Sequence, residues 1–347
     1  MKFYSCILLL TITFSVFSQT EDNDRLISNQ KNFELKNLSN ILEKYDRNKN
    51  GALDDDEKKN VVDLKINGEI SSTELLKFSN IESLSLTSSK LETLDLSSFK
   101  NLKSLYLASN FNLKNLMAHD LATLSQIKII DSPIEVLKID KSVNIQNIFI
   151  NKGNLGSLNL NSLQKAEDIQ IYNSMLYEIS VDSLLNLKYL YLDGNRISNI
   201  ILPNSTVLET VSLNTNQLSS IGLQHVPNLK KLRLSENQID KIDISKLNDL
   251  VYLELTQNNL TSFKTENNNK LASIFLEKNK LTELDLSNWI GVKDSEATQP
   301  QILYIHYNPI KTLNIKNGKL TRVFCDKVSL SKIKITKDDI DDLAPKS

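Results

Sequence analysis

Apolar residues recur along this chain on two scales. Over a few residues they alternate with polar ones, as in Leu232-Arg233-Leu234. Over longer distances the whole phrase returns, and from residue 81 it reads L-x-x-L-x-L-x-x-N-x-L, then x-x-L-x-L. Its clearest copies are Leu208 to Ile221, Leu229 to Ile244, Leu250 to Phe263 and Leu271 to Leu286. The first apolar residue of the phrase falls at Ile81, Leu102, Leu124, Ile145, Ala166, Leu187, Leu208, Leu229, Leu250 and Leu271, so eight of the nine intervals are 21 residues and one is 22. Further copies, Pro300 to Ile315 and Leu320 to Ile335, follow at intervals of 29 and 20. A degenerate copy, Val61 to Ile66, precedes them, giving about thirteen turns. Self-similarity at this period predicts a solenoid.

Alternation places Leu232 and Leu234 inward and Arg233 outward, which is a short strand. Strands of successive turns stack in parallel about 4.8 Å apart, so thirteen span roughly 60 Å. No turn can bury its own leucines, and only neighbours complete the core. After each strand the backbone must reverse inward and lose its ladder partners. Asn195, Asn216, Asn237, Asn258, Asn279 and Asn308 stand at that corner, where a buried amide both donates and accepts. Ser89, Ser132, Gly153 and Ser174 replace Asn in earlier turns, which puts the packing of those turns in question. A 21-residue turn has no room for a full helix on the far side, and Leu94-Asp95-Leu96, Ile242-Asp243-Ile244 and Leu284-Asp285-Leu286 predict a second extended segment there. The phrase resembles the leucine-rich repeat over about four-fifths of the chain. It is most similar to the 21-residue repeats of secreted proteins from the Bacteroidetes group, whose typical phrase resembles Leu281 to Ser287. The resemblance implies a leucine-rich repeat solenoid, β-rich with parallel stacked short strands, over residues 61–335.

Solenoid ends expose sheet edges and need caps. Toward the C-terminus, residues 336–347 read as a cap in which Thr336 starts a short helix through Asp339, with Ile340 and Leu343 against the last repeat. Ile290 to Gln299 reads as a loop leaving the solenoid edge. Residues 19–60 read as a small helical cap, with Phe33, Leu35, Leu38, Ile41, Leu42 and Tyr45 at helical spacing. The segment that follows, Asp46 to Glu57, resembles an EF-hand calcium loop. Asp46, Asn48 and Asn50 supply side-chain oxygens, Gly51 the sharp turn and Ala52 its carbonyl, while Asp54 stands at position nine and Glu57 at position twelve. The resemblance implies one bound Ca2+. With no second loop beside it, the expected role is structural.

Ahead of all this, Lys2 precedes an apolar run from Ile7 to Phe17, too short to span a bilayer. Residues 1–18 read as a signal peptide, which predicts export to the periplasm, cell surface or medium. Its removal takes away Cys6 and leaves Cys325 as the remaining cysteine, so no disulfide is expected. Lys plus Arg is 41 against 42 for Asp plus Glu, which argues against a nucleic-acid partner. His119, His225 and His306 lie far apart and without ligands at metal spacing, and no acid, base and nucleophile recur together, so an enzyme is not expected.

Aligned repeats stack the outward strand residues into columns. The central one reads Lys65, Ser85, Tyr106, Lys128, Phe149, Gln170, Tyr191, Ser212, Arg233, Glu254, Phe275, Tyr304 and Phe324. Six of these thirteen are aromatic, against 6% for the chain, and Tyr172, Tyr189, Tyr252 and Tyr307 flank them. Outward rings predict a recognition surface for a protein or cell-surface macromolecule. The alternative is a self-associating structural protein of the envelope or matrix, in which the rings serve cross-strand stacking.

Overall fold

The computed structural model describes residues 41–265, 267–289, 302–315, 322–326, 334–336 and 343–346. The signal segment, the expected helix before residue 41 and the loop expected at Ile290 to Gln299 lie outside the described residues.

Among the described residues, one parallel sheet of fourteen strands runs from residue 63 to residue 346. Its first six strands are β1 (Asp63–Asn67), β2 (Ser83–Thr87), β3 (Ser104–Ala108), β4 (Gln126–Ile130), β5 (Asn147–Asn151) and β6 (Asp168–Tyr172). Six three-residue strands follow: β7 (Tyr189–Tyr191), β8 (Thr210–Ser212), β9 (Lys231–Arg233), β10 (Tyr252–Glu254), β11 (Ser273–Phe275) and β12 (Ile302–Tyr304). Then come β13 (Arg322–Asp326) and β14 (Leu343–Lys346). Strand order follows chain order throughout, so each turn hydrogen-bonds only the turns before and after it. Register is in step: Lys65 faces Ser85, Ser85 faces Tyr106, and the central column continues to Tyr304 opposite Phe324. Between the sheet and the far side lies a continuous core in which Leu190, Leu232, Leu253 and Leu303 are fully buried.

The far side carries shorter ladders. Thr93–Asp95, Asn115–Met117 and Val136–Lys138 form one, Ser157–Asn159 and Glu178–Ser180 a second, and Glu283–Asp285, Thr312–Asn314 and Lys334–Thr336 a third. Two of the three extended segments expected there are thus strands, whereas Ile242 to Ile244 joins no sheet.

Each corner is tighter than the repeat phrase reveals. The residue just before the corner position has a left-handed backbone in turn after turn: Ser88, Ser109, Asp131, Lys152, Asn173, Thr215, Glu236, Gln257, Lys278 and Tyr307 have φ between 49° and 59°, and Gly194 has φ 71°. Such a residue costs about 1–3 kcal/mol when it is not glycine. The corner side chain holds it there. Asn237 Nδ2 donates to the carbonyls of Leu234 (3.0 Å) and Ser235 (3.2 Å) in its own turn and of Leu213 (2.8 Å) in the turn before. Its Oδ1 accepts from Leu218 N at 2.9 Å. Serine does a smaller version of this work. Ser174 Oγ donates to Tyr172 O and accepts from Gly153 N, and Ser132 Oγ accepts from Asn110 N. The corner serines Ser89, Ser132 and Ser174 are as buried as the later asparagines, and Asn110 is a corner asparagine inside the serine-containing series.

Two expectations at the ends change. At the C-terminal end, the helix expected from Thr336 through Asp339 lies outside the described residues, whereas Thr336 itself closes a far-side strand and Leu343, expected to pack on the last repeat from a helical cap, opens β14, which pairs in parallel with β13. Residues 337–342 between them lie outside the described residues. A strand there satisfies the open ladder of β13, which a helix would leave unpaired. β14 contains Pro345, which has no backbone N–H, and proline within sheets is a residue of edge strands. At the other end, residues 41–45 are helical, but the helix after the acidic loop is a single turn, Asp55–Lys58. It can be no longer, because Val61 is already fully buried as the first core residue and β1 starts at Asp63.

Replacing Asn237 by leucine leaves three carbonyls and one N–H without their side-chain partner. The variant should lose at least about 2 kcal/mol in urea denaturation, with Asn237→Ser losing less. Equal stability of Asn237→Leu and the parent would show that the corner does not hold the turns.

Candidate functional site

The acidic loop between residues 45 and 55 is organised by its own oxygens. Asp46 accepts from Gly51 N (2.7 Å) and Asn50 N (3.2 Å), Asn48 Oδ1 from Asn50 N, and Asn50 Oδ1 from Ala52 N. Lys49 and Gly51 take positive φ, which closes the turn. Asp54 caps the following turn, accepting from Asp56 N and Glu57 N. Glu57 is buried and its carboxylate reaches back across the loop, accepting from Arg47 N at 2.7 Å and Asp54 N at 3.0 Å. All six expected ligand positions thus line one loop of oxygen donors. Among the described residues, however, no three His, Cys, Asp or Glu side chains converge closely enough to hold a metal.

The strand face brings the predicted rings together in two groups. In the middle, Phe149 and Tyr172 lie 5.9 Å apart and Tyr172 and Tyr191 6.4 Å. Toward the C-terminal end the rings form a ladder. Tyr252 to Phe275 is 5.2 Å, Phe275 to Tyr304 is 4.8 Å and Tyr304 to Phe324 is 4.4 Å, the last two pairs stacked with nearly parallel planes. His306 joins that group, 6.2 Å from Tyr304 and 6.5 Å from Phe324. Strand pairing at about 4.8 Å imposes this spacing on any column of rings. Most ring faces are therefore covered by a neighbour, and the edges form the accessible ridge. Tyr189 stands one column over and is 37% exposed, while Tyr307 sits on the left-handed corner rather than on a strand, 62% exposed. Tyr106 stands apart from both groups, two strands from Phe149. Cys325 is buried at its inward position.

Polar groups that the column pattern did not single out lie between the rings. Asp193 accepts from Ser212 Oγ (2.6 Å) and Asn214 N (2.7 Å), and burial pushes its carboxyl above the ordinary range. Burial likewise raises Glu254, which lies 3.7 Å from Arg233 and accepts from the Tyr252 hydroxyl at 3.3 Å. The guanidinium of Arg233 sits 5.2 Å from the centre of the Tyr252 ring. Nearer the N-terminal end, a groove of about 350 Å³ crosses β2 to β6, with Tyr106, Lys128, Phe149, Asp168 and Gln170 along it. Asp168 Oδ2 accepts from Gln170 Nε2 (2.9 Å), whose own Oε1 accepts from the Tyr172 hydroxyl (3.4 Å). Asp168 Oδ1 is buried with no hydrogen-bond partner, and burial raises this carboxyl too. The signal for Asp193 was its place just past the strand, in the column that carries Tyr172 one turn earlier.

No family model matches the chain, and no curated protein matches it either. Solved structures do. The functional domain of InlJ from Listeria monocytogenes, which includes a cysteine ladder, superposes with a TM-score of 0.57 at 18% identity, covering 81% of this chain and 70% of that one. YopM, a leucine-rich effector protein from Yersinia pestis, gives 0.52 at 21% identity over 79% and 74%. The leucine-rich repeat domain of FLRT2, in an octameric complex with Latrophilin 3 and Unc5D, gives 0.52 at 14% identity over 73% and 89%. The fold is a leucine-rich repeat solenoid. At these identities the likeness is one of architecture, and the surface residues of this leucine-rich repeat chain are its own.

Two outcomes are expected of the solenoid's strand face. A carboxyl raised on folding adds stability below its unfolded value and loses it as pH rises. Asp193→Asn keeps an acceptor without the charge, so it should be more stable than the parent at pH 7, with the gap closing toward about pH 4. A gap independent of pH, measured by thermal melts from pH 4 to 8, would contradict the burial argument. Tyr304 is stacked on both faces, so its outward position does not make it free of the fold. Tyr304→Ala should cost about 1 kcal/mol of stability, against about 2–5 for its buried neighbour Leu303→Ala. Urea denaturation measures both.

Proposed function

We propose that this chain is an exported, non-catalytic binding protein that recognises a protein or cell-surface macromolecule through the strand face of its solenoid. The observation that carries this reading is the aromatic ladder from Tyr252 to Phe324, four turns long, with the exposed ring of Tyr307 at its rim. Folding alone does not require so many rings on one face, and large rings with polar neighbours are the usual anatomy of a binding hot spot. The FLRT2 solenoid in its complex with Latrophilin 3 and Unc5D offers a parallel for partner binding by this architecture. The protein, immobilised and exposed to extracellular extract of its native source, should retain a partner. Tyr304→Ala and Tyr307→Ala should each weaken that retention by about 2 kcal/mol, roughly thirty-fold. Retention unchanged in both variants would make the ladder a purely structural feature. Sedimentation showing assembly that rises with concentration would instead favour self-association.

The proposal extends to the N-terminal loop, read as a structural Ca2+ site. Its donor set is entirely oxygen, which suits calcium. Asp46, Asn48, Asn50, the Ala52 carbonyl, Asp54 and Glu57 would hold the ion, with Glu57 turning toward it from the backbone N–H groups it now accepts from. Three carboxylates and two neutral amides suggest a dissociation constant on the order of 10⁻⁴ to 10⁻³ M. Calcium at a hundred times that value should add about 2.7 kcal/mol to stability, seen as a higher melting temperature than in chelator. Glu57→Gln should abolish the calcium-dependent difference. Identical melting of the parent protein with and without calcium would remove the site.

A further inference from the structure

Inside the solenoid, the copy that starts at Leu250 departs from the apolar pattern of its neighbours. Ile244 and Leu247 stand fifteen and eighteen places into the copy from Leu229, and Leu286 and Trp289 stand there in the copy from Leu271, all buried on the far side of the core. In the copy between them the same places carry Thr265 and Asn268, which are 3% and 1% exposed. Asn268 Nδ2 donates to Ile244 O (2.8 Å) and Leu247 O (2.9 Å), so two carbonyls fix the amide and turn its Oδ1 away from them. That Oδ1 and Thr265 Oγ1 are both buried, and neither has a hydrogen-bond partner. Serines in the column of Asn268 are fully engaged by contrast. Ser142 Oγ donates to Ala118 O and accepts from Leu121 N, and Ser205 Oγ donates to Leu185 O and accepts from Val207 N. The indole N–H of Trp289 is also committed, to Leu271 O at 2.9 Å.

A buried oxygen without a partner keeps the full cost of leaving solvent, and this turn holds two, three residues apart. The threonine hydroxyl can donate, whereas the amide oxygen only accepts. A molecule that joins them must therefore accept from the first and donate to the second. Apolar residues hold the same places in the turns on either side, which suits a small, uncharged ligand, and two oxygens are too few for a metal ion. We propose that Thr265 and Asn268 form an internal hydration site, in which one water accepts from Thr265 Oγ1 and donates to Asn268 Oδ1. Two polar partners are enough to hold a buried water, and its presence lets this turn pack between two apolar ones. The site lies in the core and is independent of the strand-face reading.

A high-resolution crystal structure and thermal melts test this. Density for a water within hydrogen-bonding distance of both oxygens is expected in the parent and in Thr265→Ser, and not in Thr265→Val. Valine keeps the shape of threonine but leaves Asn268 Oδ1 without its bridge, so Thr265→Val should melt about 2 °C below the parent. If the two oxygens were simply unpaired, removing one would relieve a cost, and Thr265→Val would melt above the parent. Such a rise, an unchanged melting temperature, a direct Thr265–Asn268 hydrogen bond, or no water between the two in the parent crystal would overturn the proposal. The parent's density decides the matter even if Thr265→Val fails to fold.

Discussion

The corner after each strand is the constraint on which the rest of this solenoid depends. To return the chain inward within 21 residues, a left-handed residue must follow the strand, and in ten turns it is not glycine. That conformation is unfavourable, and the backbone it turns is removed from the sheet ladder. Asn195, Asn216, Asn237, Asn258, Asn279 and Asn308 offset both penalties by bonding carbonyls of their own turn and of the turn before. Each corner is therefore completed by its neighbour. The same dependence governs the leucine core, so stability here belongs to pairs of turns rather than to single ones.

Strand stacking also shapes what the surface can present. A column of side chains spaced by the hydrogen-bonding distance of a sheet forces adjacent rings into face-to-face contact, as at Phe275, Tyr304 and Phe324. Rings stacked in this way stabilise the strands and leave ridges of edges for a partner. Where polar residues alternate with the rings, as around Tyr106 and Phe149, the face carries a groove instead, with Lys128 over the Phe149 ring. One scaffold thus offers two different chemistries along a single face.

Between them the face is held by buried carboxylates. Asp193 and Glu254 are secured by Ser212, Asn214, Arg233 and Tyr252, and Asn214 in turn accepts from Ser235 N at 2.7 Å. These raised carboxyls couple the stability of the strand face to pH in a way that surface ion pairs such as Lys103 with Glu82 do not.

By itself the sequence determined the repeat, the inward leucines, the corner asparagines from Asn195 onward and the central outward column, because a 21-residue period with strand alternation leaves one register that buries the apolar residues. It also carried the oxygen-rich loop from Asp46 to Glu57 and the inward place of Cys325. It missed the corner role of Asn110 and placed Tyr307 on the strand face rather than on a corner. Only the tertiary structure decided which outward rings touch, which carboxylates are buried, and how the C-terminal edge is closed. Contact between Phe275 and Tyr304 depends on side chains from turns 29 residues apart. The pairing of Leu343–Lys346 with Arg322–Asp326 reflects an open sheet edge, a property of the assembled ladder that the segment's own residues do not express.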